Sequence, residues 1–203
     1  NRNVIAVPNR MTFATGCLVS WRMLATDDDY TTFDVLRDGT AIAQNLNTVT
    51  SYFDGNGKVD SRYQIVVKQH GVVKETTSAI TPWNGVFKSI TLERPNDGDG
   101  STSMVEARIA PNDCMVGDVD GDGDYELIMK WEATNAHDQA QNGYTGLTFL
   151  SCYELTGSDE GKHLWDINLG PNVRSGSHYT EVLVYDFDGD GKAEVICQTA
   201  AGT

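Results

Sequence analysis

The chain has 203 residues, of which 39% are apolar and 22% are charged, and its formal net charge is −14. These values are ordinary for a globular protein of one large or two small domains. The acidic balance and the lack of a basic patch argue against nucleic acid or an anionic membrane surface as a partner. No stretch approaches the roughly 18 apolar residues that suggest a membrane-spanning helix.

The start of the chain and its cysteines give further expectations about processing, metal binding and disulfides. The chain starts at Asn1 without a charged and then apolar leader, as expected of a processed protein. Its four cysteines lack the close spacing of a zinc site, so zinc is not expected. They leave three possible disulfide pairings, with buried free thiols as the alternative. They are Cys17, Cys114, Cys152 and Cys197.

The first part of the chain is a series of short runs with the period of a β-strand. Residues 17–23, 32–37 and 62–68 alternate between apolar and polar side chains, which predicts strands. The pair Asp38-Gly39 and the stretch 54–57 each predict a hairpin turn. We therefore expect residues 1–94 to form a β-sheet domain, an antiparallel sandwich that resembles fibronectin type III modules.

A polar, glycine-rich stretch separates this domain from the rest of the chain. Residues 95–103 read Pro-Asn-Asp-Gly-Asp-Gly-Ser-Thr-Ser, a composition typical of a connection. Part of this stretch, 96–100, resembles an acidic metal-binding loop but lacks a closing acid. The sequence predicts a linker or long loop over residues 95–110.

Two copies of a nine-residue acidic loop begin 68 residues apart, at Asp118 and Asp186. Carboxylates at positions 1, 3, 5 and 9, with a backbone carbonyl at position 7, are oxygen ligands suited to Ca²⁺. An EF-hand would carry Glu at position 12, where these copies have Met129 and Cys197. The pattern predicts one calcium ion in each loop. The expected ligands are Asp118, Asp120, Asp122, the carbonyl of Asp124 and Glu126 in the first loop, and Asp186, Asp188, Asp190, the carbonyl of Lys192 and Glu194 in the second.

The segments around the loops predict strands rather than helices. Residues 125–131 and 193–199 follow the loops as short apolar runs, and 146–154 and 163–168 lie between them. About four strands in a 68-residue repeat are typical of a propeller blade with an enlarged loop. We therefore expect residues 111–203 to be the first blades of a β-propeller, each stapled by calcium. Because a propeller needs about four blades to close, the remainder of the same propeller is the expected partner.

An ordered set of motifs along the whole chain resembles the rhamnogalacturonan lyases of polysaccharide lyase family 11. The most specific motifs are 18–22 (Leu-Val-Ser-Trp-Arg), 33–39, 112–126, 130–131, 142–146, 164–170, 174–180 and 199–203. The resemblance implies a small β-sheet domain followed by an eight-bladed, calcium-rich propeller. It also implies an endolyase or exolyase that cleaves the rhamnogalacturonan I backbone of pectin by β-elimination at galacturonate. A cation can bind the uronate carboxylate and acidify the C5 proton, which a base removes.

The resemblance also carries candidate residues onto this chain. It implies that Asn112 and Glu132 contact substrate, with Glu132 standing where relatives carry Asp, and simple turn capping or surface charge is the alternative for both. It also implies that Asp113 can extend a calcium shell. Arg174 and His178 are further substrate candidates, with loop packing as the alternative. The catalytic residues are expected beyond Thr203, so this chain alone is expected to be inactive.

A noncatalytic calcium-binding propeller module for glycan binding or adhesion is the alternative function. Integrin-type repeats share the Asp-x-Asp-Gly-Asp-Gly core of the two loops. Segment 131–144 favours the enzyme, because it has the character of an insertion at a substrate rim. Sites of this kind suit the millimolar calcium found outside cells, so a secreted, extracellular protein is expected.

Overall fold

The computed structural model describes residues 2–9, 15–95, 108–138, 140–176 and 178–201. In these ranges the chain is all-β, as predicted, and it divides into two compact units, Asn1–Ser89 and Ile90–Thr203. No helix in the described part is long and apolar enough to cross a membrane. The strands are β1 (Ile5–Pro8), β2 (Cys17–Ser20), β3 (Thr31–Arg37), β4 (Thr40–Leu46), β5 (Ser51–Asp54), β6 (Tyr63–Gln69), β7 (Val72–Thr76), β8 (Ile109–Gly117), β9 (Glu126–Ala133), β10 (Phe149–Glu154), β11 (His163–Asn168), β12 (Val182–Tyr185) and β13 (Glu194–Cys197).

The first unit consists of two antiparallel sheets that share one core. The sheets have the strand orders β1-β2-β5 and β4-β3-β6-β7. Every second residue of the central strands is buried, because successive side chains of a strand point to opposite faces. The predicted strand runs in this unit are thus confirmed. The core residues are Ala6, Cys17, Val19, Trp21, Phe33, Val35, Tyr63, Ile65 and Val67.

One of the two predicted hairpin turns in this unit is confirmed and one is wrong. Asp38 and Gly39 both have positive φ, at 51° and 77°, as in the two-residue turns that join β3 to β4. Residues 54–57 do not form a hairpin, because β5 pairs with β2 whereas β6 pairs with β3. The chain crosses between sheets there. Asp54 anchors the crossing by accepting hydrogen bonds from Arg37 (2.7 and 2.8 Å) and Tyr63 (2.8 Å).

The second unit contains a four-stranded antiparallel meander, in the order β11-β10-β9-β8, and the separate pair β12-β13. One hydrophobic cluster of this unit contains Leu150 of β10 together with Leu169, Val173 and Val182. The strands predicted after both acidic loops, and the two predicted between the loops, are confirmed as β9, β13, β10 and β11. Strand β8 begins at Ile109, inside the predicted linker 95–110, and residues 96–107 of that linker lie outside the described residues. All four cysteines are free, and Cys17 and Cys152 are buried.

Candidate functional site

The two acidic loops have the same internal hydrogen bonds. Asp118 accepts from the backbone N–H of Gly121 (2.7 Å) and Gly123 (2.9 Å). Asp186 accepts in the same way from Gly189 (2.7 Å) and Gly191 (3.0 Å). These four glycines have φ between 80° and 96°, a region that side-chain-bearing residues rarely adopt. Each loop is therefore a tight turn built around its first aspartate.

The closing glutamate ties the end of each loop back to its beginning. One oxygen of Glu126 accepts from the N–H of Val119 at 2.6 Å, and one oxygen of Glu194 accepts from the N–H of Phe187 at 2.8 Å. Because these acids are the first residues of β9 and β13, the following strands fix their positions. The repeat seen in sequence is thus a repeat in structure.

Each loop brings several carboxylates together. One oxygen each from Asp186, Asp188, Asp190 and Glu194 lies within 4.8 Å of the others, and the same holds for Asp118, Asp120 and Glu126. Asp122 is not in this group. Asp124 and Lys192 were predicted to offer only a carbonyl, and the side chain of Asp124 instead accepts from Thr156 at 3.2 Å.

The surroundings of Glu126 show whether the carboxylates of the first loop suit a cation. Its side chain is fully buried, and its Oε1 has no hydrogen-bond partner among the described residues. A buried carboxylate oxygen without a partner is costly. Burial, and to a smaller extent the charges of Asp120 and Glu154, raise the pKa of Glu126 to about 7. A divalent cation would supply both the missing partner and the missing charge, so the donor set fits a hard metal ion.

The second set of predicted residues lies at the other end of the β8–β9 hairpin. Asn112 is the extra residue of a β-bulge, because Pro111 pairs with Trp131 and Asp113 pairs with Lys130. Edge strands tolerate such a proline, and bulges commonly re-aim a side chain. Asn112 is exposed and Glu132 is half-buried. The structure therefore brings Asn112 and Glu132 to one edge of the sheet, at the end of the β8–β9 hairpin opposite the acidic loop.

This edge is far from the first acidic loop. Glu132 lies six residues after Glu126 on one strand, which corresponds to about 20 Å at the usual rise of a strand. Asp113 lies about 17 Å from Asp118 by the same measure, and its Oδ1 accepts from the N–H of Cys114 at 2.8 Å. Asp113 is therefore not brought to the carboxylates of that loop. An ion held there would not touch the same sugar as Asn112 and Glu132.

A buried lysine attaches the segment around residues 174–180 to this edge. Lys130 is 4% exposed, and its Nζ donates to the carbonyl of Tyr179 at 2.6 Å and of Gly176 at 3.4 Å. Nearby, the N–H of Ala133 donates to Ser175 Oγ at 2.8 Å. We did not assign Lys130 or Ser175 from the sequence. A single lysine in the otherwise apolar run 127–131 was the available signal.

Arg174 organises a loop in this structure. Its guanidinium makes four hydrogen bonds to backbone carbonyls, 2.8–3.3 Å long. A guanidinium has five N–H donors, so these four bonds leave one donor. A bidentate contact with a uronate carboxylate needs two. The loop-packing alternative therefore describes Arg174 here. Its acceptors are the carbonyls of His137, Asp138, Gln141 and Gly143.

His178 is exposed and lies between Gly176 and Tyr179, the two residues whose carbonyls accept from Lys130. The N–H of Ala140 donates to Asp138 at 2.8 Å. This bond, the Tyr179 side chain and the charge of His178 hold the pKa of Asp138 below its ordinary value. We call Asn112, Glu132 and His178 the rim; they are polar residues of three segments that the β8–β9 pairing and Lys130 join.

Two family models together match nearly the whole chain. The beta-sheet domain of rhamnogalacturonan I lyases matches residues 1–83. The C-terminal domain of rhamnogalacturonan lyase family 11 matches residues 87–203. The boundary between the two matches is close to the division between the compact units at Ser89.

Two Bacillus subtilis (strain 168) proteins are similar along the entire chain. The chain is 41% identical to the rhamnogalacturonan exolyase YesX and 41% identical to the rhamnogalacturonan endolyase YesW, covering 100% of this chain in both cases. It spans only about a third of these relatives, 32% and 31% of their lengths.

Solved structures agree with these matches. The crystal structure of YesW superimposes with a TM-score of 0.77 over 100% of this chain and 33% of that chain, at 41% identity. That of YesX gives a TM-score of 0.76 over 99% of this chain and 32% of that chain, at 39% identity. The chain belongs to rhamnogalacturonan lyase family 11.

Proposed function

We propose that this chain is part of a rhamnogalacturonan lyase that cleaves the rhamnogalacturonan I backbone at galacturonate. The observation that carries the proposal is the 41% identity, along the entire chain, to one exolyase and one endolyase of rhamnogalacturonan. In the proposed reaction a base removes the C5 proton of galacturonate, the electron pair of that bond forms a C4–C5 double bond, and the C4–O bond breaks. The departing oxygen takes up a proton and becomes the hydroxyl of the released sugar. The proton-abstracting group belongs to the part of the protein that this chain does not span.

Within this chain, the rim binds and orients the polymer. Asn112 is the exposed extra residue of a bulge, and Glu132 lies on the neighbouring strand. Both residue types form hydrogen bonds with sugar hydroxyls. Lys130 and Arg174 hold the surrounding loops through backbone carbonyls, which keeps the rim in one geometry before substrate arrives.

The proposal includes calcium in both acidic loops. Asp118, Asp120 and Glu126 would hold one ion, and Asp186, Asp188, Asp190 and Glu194 would hold the other. A bound calcium would offset part of the negative charge of these carboxylates and join the two strands that flank each turn. Because the first loop lies about 20 Å along β9 from the rim, this role is structural. The fibronectin-like sandwich and the propeller blades of the family resemblance complete the proposed architecture.

The full-length protein should generate the ultraviolet absorbance of an unsaturated uronate when it is given rhamnogalacturonan I. Elimination forms a double bond conjugated with the carboxylate, whereas hydrolysis does not. The measurement is absorbance together with released reducing ends. Reducing ends without absorbance would replace the lyase by a hydrolase. Polymer binding with neither product would favour the noncatalytic module.

Replacing Asn112 or Glu132 by Ala in the full-length protein should raise KM several-fold. Both side chains lie at a surface edge, so the free energy of unfolding should change by no more than about 0.5 kcal/mol. Asp60→Ala, an exposed acid of the first unit, is the matched control and should leave KM unchanged. A large loss of stability with unaltered kinetics would make the rim residues structural.

A further inference from the structure

The peptide bond between Lys192 and Ala193 connects the two acidic loops. Its N–H donates to the backbone carbonyl of Asp118 at 2.6 Å. Its carbonyl, on Lys192, stands at position 7 of the second loop, the position from which a backbone oxygen reaches the ion. Asp118 supplies the first carboxylate of the other loop. One rigid peptide unit therefore binds the first residue of the first loop and occupies position 7 of the second.

Side chains of the second loop also pack against the first. A Cβ atom added to Gly121 would lie 2.8 Å from Cε and 2.9 Å from Cγ of Lys192. The aliphatic stem of Lys192 therefore lies directly over the backbone of the first loop. A Cβ on Gly117 would come within 2.6 Å of Val184 and 2.9 Å of Ala193. Glycine at both positions permits this close approach.

We infer that the two loops form one coupled calcium unit, in which an ion in either loop raises the affinity of the other. This inference rests on the proposed calcium binding. An ion on the Lys192 carbonyl polarises the peptide and strengthens its N–H donation to Asp118, since hydrogen bonds in a chain polarise one another. It also fixes the turn that holds the Lys192 stem over Gly121. Linkage requires the converse effect of the first ion on the second loop to be equal.

A calorimetric calcium titration of the full-length protein tests the coupling. Asp188→Asn should abolish high-affinity binding in the second loop and weaken binding in the first by about fivefold or more, the lower range of measured couplings. Asp120→Asn should weaken the second loop by the same factor. Asp60→Asn carries the same charge change in the other unit and should alter neither affinity.

The titration distinguishes coupling between the loops from calcium binding itself. Loss of one ion with an unchanged affinity at the other loop would overturn the coupling and leave calcium binding intact. Titrations in which neither variant differs from the wild type would overturn calcium binding itself.

Two glycines of the first loop supply a matched pair that tests the contact. Gly121 and Gly123 have similar φ, 81° and 93°, but a Cβ on Gly123 would meet nothing within 4 Å. Gly121→Ala displaces the Lys192 stem, so the effect of Asp188→Asn on the first loop should shrink towards none in that background. The effect should persist in the Gly123→Ala background. Equal effects in both backgrounds would exclude the Lys192 contact as the route of coupling.

Discussion

Chelating calcium should reverse the effect of Glu126→Gln on stability. With calcium present, the variant loses a charged ligand of the first loop and should be less stable than the wild type. Saturation of one site at a thousandfold excess of ion over Kd contributes about 4 kcal/mol, which sets the scale of the loss. Without calcium at pH 8, the variant should be the more stable protein, because it removes a buried, uncompensated carboxylate.

The pH dependence of the calcium-free protein checks the same assignment. The pKa of Glu126 is raised by burial from 4.5 to about 7, so the folded state binds more protons than the unfolded state between these values. The contribution of this group to stability is therefore present below pH 4.5 and is lost as the pH rises through 7. Thermal unfolding in chelator should show this decline in the wild type and not in Glu126→Gln. A variant that is less stable in both conditions would contradict the assignment.

Asp27→Asn should destabilise the first unit by about 3–5 kcal/mol, the usual cost of breaking a buried ion pair. The side chains of Arg2 and Asp27 are 4% and 1% exposed, and the guanidinium binds both carboxylate oxygens. The hydrogen bond from Arg2 holds the pKa of Asp27 below its ordinary value of 3.8. This stabilisation is present above pH 3.8 and is lost as the pH falls through the lower, folded-state pKa. Chemical denaturation of the full-length protein measures both effects.

Glu75→Gln is the matched control for this pair. Glu75 accepts from the Nε of the same arginine at 2.9 Å, but its side chain is 39% exposed. Exposed ion pairs contribute about 1 kcal/mol or less, so this variant should cost far less than Asp27→Asn. Equal losses from the two variants would show that burial of the pair does not set its contribution.

Local patterns predicted the strands and the loops of this protein well. The alternation in 32–37 and 62–68 predicted β3 and β6 because both strands have one face on the core. The loops were predictable because their carboxylates lie within nine consecutive residues. The match between the hydrogen bonds of Asp118 and Asp186 follows from that local repeat.

Features that depend on distant contacts were not predictable in this way. The turn at 54–57 has hairpin residues, yet the buried carboxylate of Asp54 binds Arg37 and Tyr63 and leads the chain to the other sheet. Arg174 appeared suited to a uronate, but carbonyls more than 30 residues earlier use its donors. The side chain of Lys192 is exposed, and only the fold brings its aliphatic stem to Gly121. Pairings across such separations leave no periodic signal in one sequence.

Crystals of the full-length protein, grown with calcium and measured for anomalous scattering, are the direct test of calcium binding in both loops. We expect one anomalous peak among the carboxylates of Asp118, Asp120 and Glu126 and a second among those of the loop from Asp186 to Glu194. Each peak should have about six to eight oxygen ligands at about 2.3–2.6 Å. A water molecule or a lysine ammonium in place of either ion, at saturating calcium, would contradict the account.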